Sequence, residues 1–430
     1  MNPSIVLALI FIVGLFLGIP VGVCLGIAAL VGVYLSHIPL SFIAKTVYTA
    51  IDSFAIIAVP MFILAGSIME KGGLTERLIR FSQALVGRKT GGLAIVTVLA
   101  CTLFGAISGS GPATTAAIGG IMIPAMIKAR YSKGFAGGIA ACSGGIGAVI
   151  PPSILMIMYG ISAEQSITAL FIAGIIPGII LAIFLMVTVY FISRFRNYTS
   201  DDGGSFTFKR LFKAANDAKW ALLAPVIVLG GIYGGVFTVT EASVIAVVYS
   251  IIVGSLFYKS MSWRDYLQSV IDTGKTTGTV LIVLMMGMVF ARVLTINQIP
   301  QQISRLLIAN IQSKVLLILL IDALLIFIGM WMESVVQIII LTPLLLPAAI
   351  QLGIHPIQFG LMFTIACEIG FETPPLGVNL FVASEIAKTS IEEITKESLF
   401  FIMAEIAALL LISYVPELSL FIPRLMGLIN

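Results

Sequence analysis

The stretch "AISGSGPATTAAIG" at 106–119 places three glycines, a proline, two serines and two threonines between apolar segments. Glycine and proline interrupt helices, and interrupted backbone inside lipid must find its hydrogen bonds elsewhere. Three further breaks share this character: "GGIGAVIPPS" at 144–153, "WMES" at 331–334 and "GFETPPLG" at 370–377. Proline removes a donor and frees the carbonyl one turn back. Freed carbonyls with Ser and Thr hydroxyls are hard oxygen ligands, suited to Na⁺. The N–H groups at the start of a half-helix suit a carboxylate. The chemistry these residues offer is ion and anion binding.

Such breaks need long apolar helices around them. The chain has 430 residues, 59% hydrophobic and 10% charged, with a mean hydropathy of +1.12; a soluble domain carries about 25% charge. Residues 5–35 hold no charge, and 399–415 hold only Glu405. About 20 apolar residues span a bilayer. The fold class is therefore an all-α polytopic membrane protein. A β-barrel would alternate apolar and polar residues, and these runs do not. No Lys or Arg precedes Lys45, which argues against a signal peptide. Cys24, Cys101, Cys142 and Cys367 lie far apart in apolar stretches and are expected to be packing residues. An enzyme is not expected: His37 and His355 flank loops, and there is no H-E-x-x-H, paired intramembrane aspartate or P-loop. Nothing points to nucleic acid, and coupling energy must come from an ion gradient.

The breaks recur at nearly one offset. Gly147, Pro151 and Pro152 correspond to Gly370, Pro374 and Pro375, and "GLTERLIRF" (73–81) corresponds to "QIPQQISRL" (298–306). Two repeats are expected, 1–215 and 216–430. The first carries scaffold helices, a re-entrant hairpin at 90–127 and a broken helix at 134–162. The second carries scaffold helices, a hairpin at 315–350 and a broken helix at 359–387. Crossings are placed at 4–18, 20–36, 51–70, 134–162 and 168–193, then at 220–234, 240–258, 276–296, 359–387 and 398–422. Five crossings per repeat invert the second half. This topology puts 19 of the 24 Lys and Arg on the cytoplasmic side, all but Lys45, Arg292, Arg305, Lys314 and Arg424. Inverted repeats with discontinuous helices are the mark of many secondary transporters, whose sites lie near the midplane.

The motifs "FGAISGSGPATTAAIG", "GGIGAVIPPS", "GGIYGGVFTVTEASVIAVVY" and "IGFETPPLGVNL" resemble, over essentially the whole chain, the large membrane subunit of TRAP transporters, the tripartite ATP-independent periplasmic systems. The resemblance implies sodium-coupled import of a small organic anion, of sialic acid or C4-dicarboxylate type, across a bacterial inner membrane. It implies an elevator mechanism, with at least two transported Na⁺. It also implies two partners: a small four-helix membrane subunit, expected as a separate chain, and a soluble periplasmic substrate-binding protein. A stand-alone divalent-anion/sodium symporter of related fold is the alternative. Two positions depart from the family pattern. Thr238-Val239-Thr240-Glu241 stands where T-P-T-E is frequent, and Glu333 stands where Asp is frequent.

Site residues follow from the tips and breaks. A first sodium site is expected from Ser108 and Ser110 with carbonyls around Gly145, Val149 and Pro151. A second is expected from the tip at 329–333, including Gly329 and Met332, with Thr373 and carbonyls near Gly370 and Gly377. For the substrate, Ser153 sits at a half-helix N-terminus with Ser108 facing it. Glu333 belongs either to the substrate or ion pathway or to the cap of the following half-helix. Arg292, deep in "MGMVFARVLT", either attracts the anion, pairs with an acid or reaches for the membrane edge. Glu372 faces a site or an aqueous cavity, Glu241 caps a helix, and Asp322 is a buried partner or faces the companion subunit.

Overall fold

Serines, prolines and glycines divide the apolar chain into helices. The computed structural model describes residues 3–87, 89–198, 207–311 and 313–429. Part of the basic 194–219 cluster, and Arg88, lie outside them. The first half contains α1 (Pro3–Phe16), α2 (Val21–Leu35), α3 (Ser41–Ile51), α4 (Ala58–Lys71), α5 (Leu74–Val86), α6 (Gly92–Ser108), α7 (Gly111–Lys128), α8 (Lys133–Val149), α9 (Ile154–Ser162) and α10 (Ile167–Phe195). The second contains α11 (Phe208–Tyr233), α12 (Val239–Ile252), α13 (Trp263–Ile296), α14 (Ile299–Asn310), α15 (Lys314–Gly329) and α16 (Ser334–Gln351). It ends with α17 (Pro356–Phe371), α18 (Val378–Ala387), α19 (Ile391–Tyr414) and α20 (Glu417–Leu425). No strand occurs among the described residues.

The helix starts follow local chemistry. Ser132, Ser153, Ser166, Ser313 and Ser390 each accept a hydrogen bond from the first turn of the helix they precede. Thr238 and Glu241 form a reciprocal capping box on α12, the role expected of Glu241. Ser262 and Asp265 repeat it on α13.

By length and apolarity, seven helical segments suit a membrane crossing, or eight with α8 and α9 counted as one span bent by 45°. They cover the expected crossings at 51–70, 134–162, 168–193, 220–234, 240–258 and 276–296. Four expected crossings differ. α1 and α2 have 14 and 15 residues, about 21–23 Å of helix against an apolar layer of about 30 Å. Gly18, in the left-handed region, and Pro20 separate them. At 398–422 the helix begins earlier, at Ile391, and ends at Tyr414, before Pro416. At 359–387, α17 and α18 are separated by the unwound 372–377. α16, expected as half of a hairpin, is itself long and apolar enough to cross.

The centre is built from short helices. Every residue of α8 from Gly134 to Val149 and of α17 from Ile357 to Phe371 is buried. α6, α7, α18 and α19 pack on α8, while α15, α16 and α19 pack on α17. Outside this core, α12 lies along α4, and α13 along α2, α3 and α4. Exposed apolar side chains line the outer helices, such as Ile179, Ile183 and Val187 on α10 and Leu316, Leu319 and Leu320 on α15. That is a surface suited to lipid.

Candidate functional site

The first tip joins α6 to α7. Gly109 ends α6 with φ +64, and Ser110, extended, precedes α7. Ser108 Oγ lies 2.7 Å from Thr114 Oγ1, whose hydroxyl also donates to the Ser110 carbonyl at 2.8 Å. The tip is tied to the first broken helix twice. The Ile154 N–H donates to the Gly109 carbonyl at 3.2 Å. Lower down, Gly105 meets Gly147 so closely that a methyl group at 105 would sit 2.6 Å from the Gly147 Cα.

The break itself follows from Pro151-Pro152, joined by a cis peptide bond. Two successive prolines leave the Gly147 and Ala148 carbonyls without their usual donors four residues on. Ser153 Oγ donates to the Ala148 carbonyl and accepts from Met156 N at 3.2 Å, capping α9. The expected substrate-facing hydroxyl is thus already committed to repairing the break.

The second tip is built alike. α15 ends at Gly329, and Glu333 stands at the N-cap of α16 without making a side-chain cap bond. Capping, one of its two expected roles, is not what its carboxylate does. Leu376 N donates to the Met330 carbonyl at 3.0 Å. A methyl group at Gly370 would sit 2.7 Å from the Gly329 Cα. Pro374-Pro375, again cis, leaves the Gly370 and Phe371 carbonyls without their helical donors. Gly370 O accepts from Thr373 N at 2.9 Å instead, and Thr373 Oγ1 donates to Ile369 O at 2.7 Å. Met332 is buried behind the tip. Gly377, with φ +45, precedes α18.

A cavity of about 370 Å³ joins the two tips. Ser108, Ser110, Glu333 and Ser334 line it, together with Glu70, Asp272 and Glu368. The first residues of α7, α9 and α16 all open onto it. Gly145 and Val149 lie elsewhere, on a second space of about 10 Å³ with Glu368, Glu372 and Glu405. Arg292 lines neither cavity. It is exposed on α13 between the buried Ala291 and Val293, because the helix turns its core face away from position 292. Of its three expected roles, this exposure fits the reach for the membrane edge better than a place beside the anion. Asp322 is buried in α15 with both oxygens unpartnered.

Sequence reasoning missed a buried polar group beside the breaks. Glu372 Oε1 accepts from Asn379 Nδ2 at 3.1 Å. Carboxylate oxygens of Glu372 and Glu405 and the Cys142 Sγ lie within 4.8 Å of one another. Glu368 sits one turn before Glu372, and any side chain at Gly111 or Gly145 would strike Glu368 Oε1 or Glu372 Oε1 respectively. Glu368 Oε2, Glu372 Oε2, Glu405 Oε2 and Asn379 Oδ1 have no partner. This oxygen-rich donor set suits a hard cation. Two signals were available: the four-residue spacing of Glu368 and Glu372, and the isolation of Glu405 in an apolar run.

Tips, broken helices and a central cavity inside a polytopic helical fold define a membrane transport protein. The fold is shared with the YdaH transporter of Alcanivorax borkumensis, at TM-score 0.63 and 16% identity, covering 90% of this chain and 89% of that one. MtrF of Neisseria gonorrhoeae matches at TM-score 0.59 and 15% identity, covering 89% and 84%. Residues 8–418 match the family described as Tripartite ATP-independent periplasmic transporter, DctM component. The chain is 40% identical to the isethionate TRAP transporter permease protein DctMQ of Oleidesulfovibrio alaskensis, over 98% of this chain and 66% of that protein. It is 35% identical to the C4-dicarboxylate TRAP transporter large permease protein DctM of Vibrio cholerae, over 98% of each. It is 36% identical to the sialic acid TRAP transporter large permease protein SiaM of the same species, over 96% of each. The chain belongs to the DctM family of TRAP transporter permeases and is a multi-pass protein of the bacterial inner membrane.

Proposed function

We propose that the chain is the sodium-coupled permease of a three-part uptake system, importing a small organic anion handed over by a periplasmic binding protein. The observation that carries this reading is the cavity onto which both tips and three helix N-termini open. Each N-terminus carries about half a positive charge, which suits an anionic group, and α7 and α16 start without a side-chain cap on their first N–H groups. Relatives named for sialic acid, C4-dicarboxylates and isethionate support an organic anion as the substrate.

Sodium would sit behind each tip. The first ion would use Ser108, Ser110 and Thr114 hydroxyls with the Gly147 carbonyl that Pro151 leaves free. The second would use carbonyls of the 329–332 turn, Thr373 and the Phe371 carbonyl. With at least two Na⁺ the loaded core carries no net anion into lipid, which lowers the electrostatic barrier to movement. The tips and broken helices of two inverted repeats, 1–215 and 216–430, would move together as an elevator against a scaffold that includes α2 and α12, widened by a small membrane subunit. The cavity mouth holds Glu70 and Asp272 beside Lys71. Those residues fall on the side carrying most of the basic loops, so this state would be open to the cytoplasm.

The test is uptake into proteoliposomes holding the chain with its small subunit, supplied with binding protein and labelled anion. A sodium gradient should drive accumulation with a Hill coefficient for Na⁺ above one. Accumulation that is equal in choline, or a coefficient of one with a stoichiometry of one, would overturn the two-ion scheme.

A further inference from the structure

The buried acids between α8, α17 and α19 stand without a counter-charge. Glu368, Glu372 and Glu405 are each at most 4% exposed, and all three line the small space of about 10 Å³. No Lys, Arg or His lines that space, and none pairs with these acids among the described residues. Glu372 is held by one oxygen only. Its Oε1 accepts from Asn379 Nδ2 at 3.1 Å and fills the slot that Gly145 leaves in α8, where a methyl group would strike it. Its Oε2 meets no donor, and neither does Oε2 of Glu368 or Glu405. Buried carboxylate oxygens without partners are costly unless a cation or protons neutralise them.

The geometry fits one ion. Ligands of a common divalent cation stand about 2.0–2.6 Å from it, so two of them lie at most roughly 5 Å apart. Carboxylate oxygens of Glu372 and Glu405 and the Cys142 Sγ all lie within 4.8 Å of one another. The space beside them is about the size of one water or one bare ion. Two ionised carboxylates carry two negative charges, which a divalent cation cancels and Na⁺ does not. We propose that Glu372, Glu405 and Cys142 hold a divalent metal ion of the Mn²⁺ class, at a site separate from both tips. Carboxylate ligands suit such an ion, and the Asn379 hydrogen bond orients one of them. Glu368 lines both this space and the central cavity, so it offers the ion a way in. Cys142 belongs to the first half of the chain, and Glu372 and Glu405 to the second. The ion would therefore clasp the two halves of the core and would not travel with the substrate.

The test uses the full chain purified in detergent and saturating sodium chloride, stripped with a chelator and dialysed against Mn²⁺. Elemental analysis should find about one Mn²⁺ retained per chain, and Mn²⁺ should raise the unfolding temperature. Glu372→Gln and Glu405→Gln should each weaken retention at least about 100-fold, the upper end of what losing a partner of a metal ligand costs. Glu76→Gln, at an exposed acid on α5, should retain Mn²⁺ as the parent does. Without metal, both glutamine variants of the site should unfold at or above the parent's temperature, because each removes a charge from a crowded pair. No retained Mn²⁺ in the parent, or equal retention in either of these two variants, would overturn the inference. Lost retention in variants that also unfold earlier without metal would overturn it as well, since the loss would then follow from damaged packing.

Discussion

Gly370→Ala is the sharpest probe of how the second tip is held. A methyl group there would lie 2.6 Å from the Ile326 carbonyl oxygen and 2.7 Å from the Gly329 Cα, both backbone atoms that no rotamer can move. Reaching ordinary contact near 3.4 Å requires α15 and α17 to part by about 0.7–0.8 Å. Overpacking of this kind costs about 1–3 kcal/mol. A parting of that size also stretches the 3.0 Å bond from Leu376 N to Met330 O beyond hydrogen-bond range, which removes about 1 kcal/mol more. The gain in helix propensity returns about 0.5–1 kcal/mol. The net loss should be about 1–3 kcal/mol, read from denaturant unfolding in micelles with the fluorescence of Trp331, which stands on the same tip. Gly120→Ala is the control. Nothing lies within 4 Å of a methyl group there, on the exposed side of α7, so that variant should be as stable as the parent or slightly more so. Equal unfolding of Gly370→Ala and Gly120→Ala would refute the close-contact argument.

Gly105→Ala should destabilise the first tip by a similar amount, because its methyl group meets the Gly147 Cα at 2.6 Å. Its effect should add to that of Gly370→Ala in a double variant if the two tips are separate contacts. Ser153→Ala should lower stability by about 1–2 kcal/mol through loss of the α9 cap and exposure of the Ala148 carbonyl to no donor; thermal unfolding without substrate reads this directly. Ser110→Ala should raise the sodium concentration for half-maximal uptake, and unchanged sodium dependence in both Ser108→Ala and Ser110→Ala would remove these hydroxyls from the ion site. Arg292→Ala should leave sodium-driven uptake within about twofold, as befits an exposed position; a large loss would return Arg292 to the transport path.

Local chemistry made the breaks readable before any packing was known. Gly109, Pro112 and the two Pro-Pro pairs act within a few residues of themselves, so their effects on backbone are visible in a string of letters. The same holds for Thr238 and Glu241, which form their capping box over three residues. Features set by packing between distant helices were not readable. Glu372 and Glu405 meet only because α17 and α19 pack side by side. The face on which Arg292 stands was not readable either, because one residue on a helix turns the side chain by about 100°, and depth along an apolar run says nothing about the face. Ser153 was correctly put at a helix start, yet the claim of the Ala148 carbonyl on its hydroxyl depends on how the chain folds back across Pro151 and Pro152.

The packing around α8 bears on how the protein is made. Gly134, Gly137 and Gly138 press against Glu393, Ile394 and Ser398 of α19, and the Ala141 carbonyl meets Asn379 Nδ2, 238 residues further on. A nascent chain delivers α8 to the membrane long before α18 and α19 leave the ribosome. Until then its smooth glycine face has no proper neighbour, and lipid tails or insertion machinery must shield it. The first half is thus an unfinished object rather than a domain awaiting its twin. Chains cut short anywhere before α19 should be retained by the insertion apparatus and degraded, whatever the sequence of their own helices.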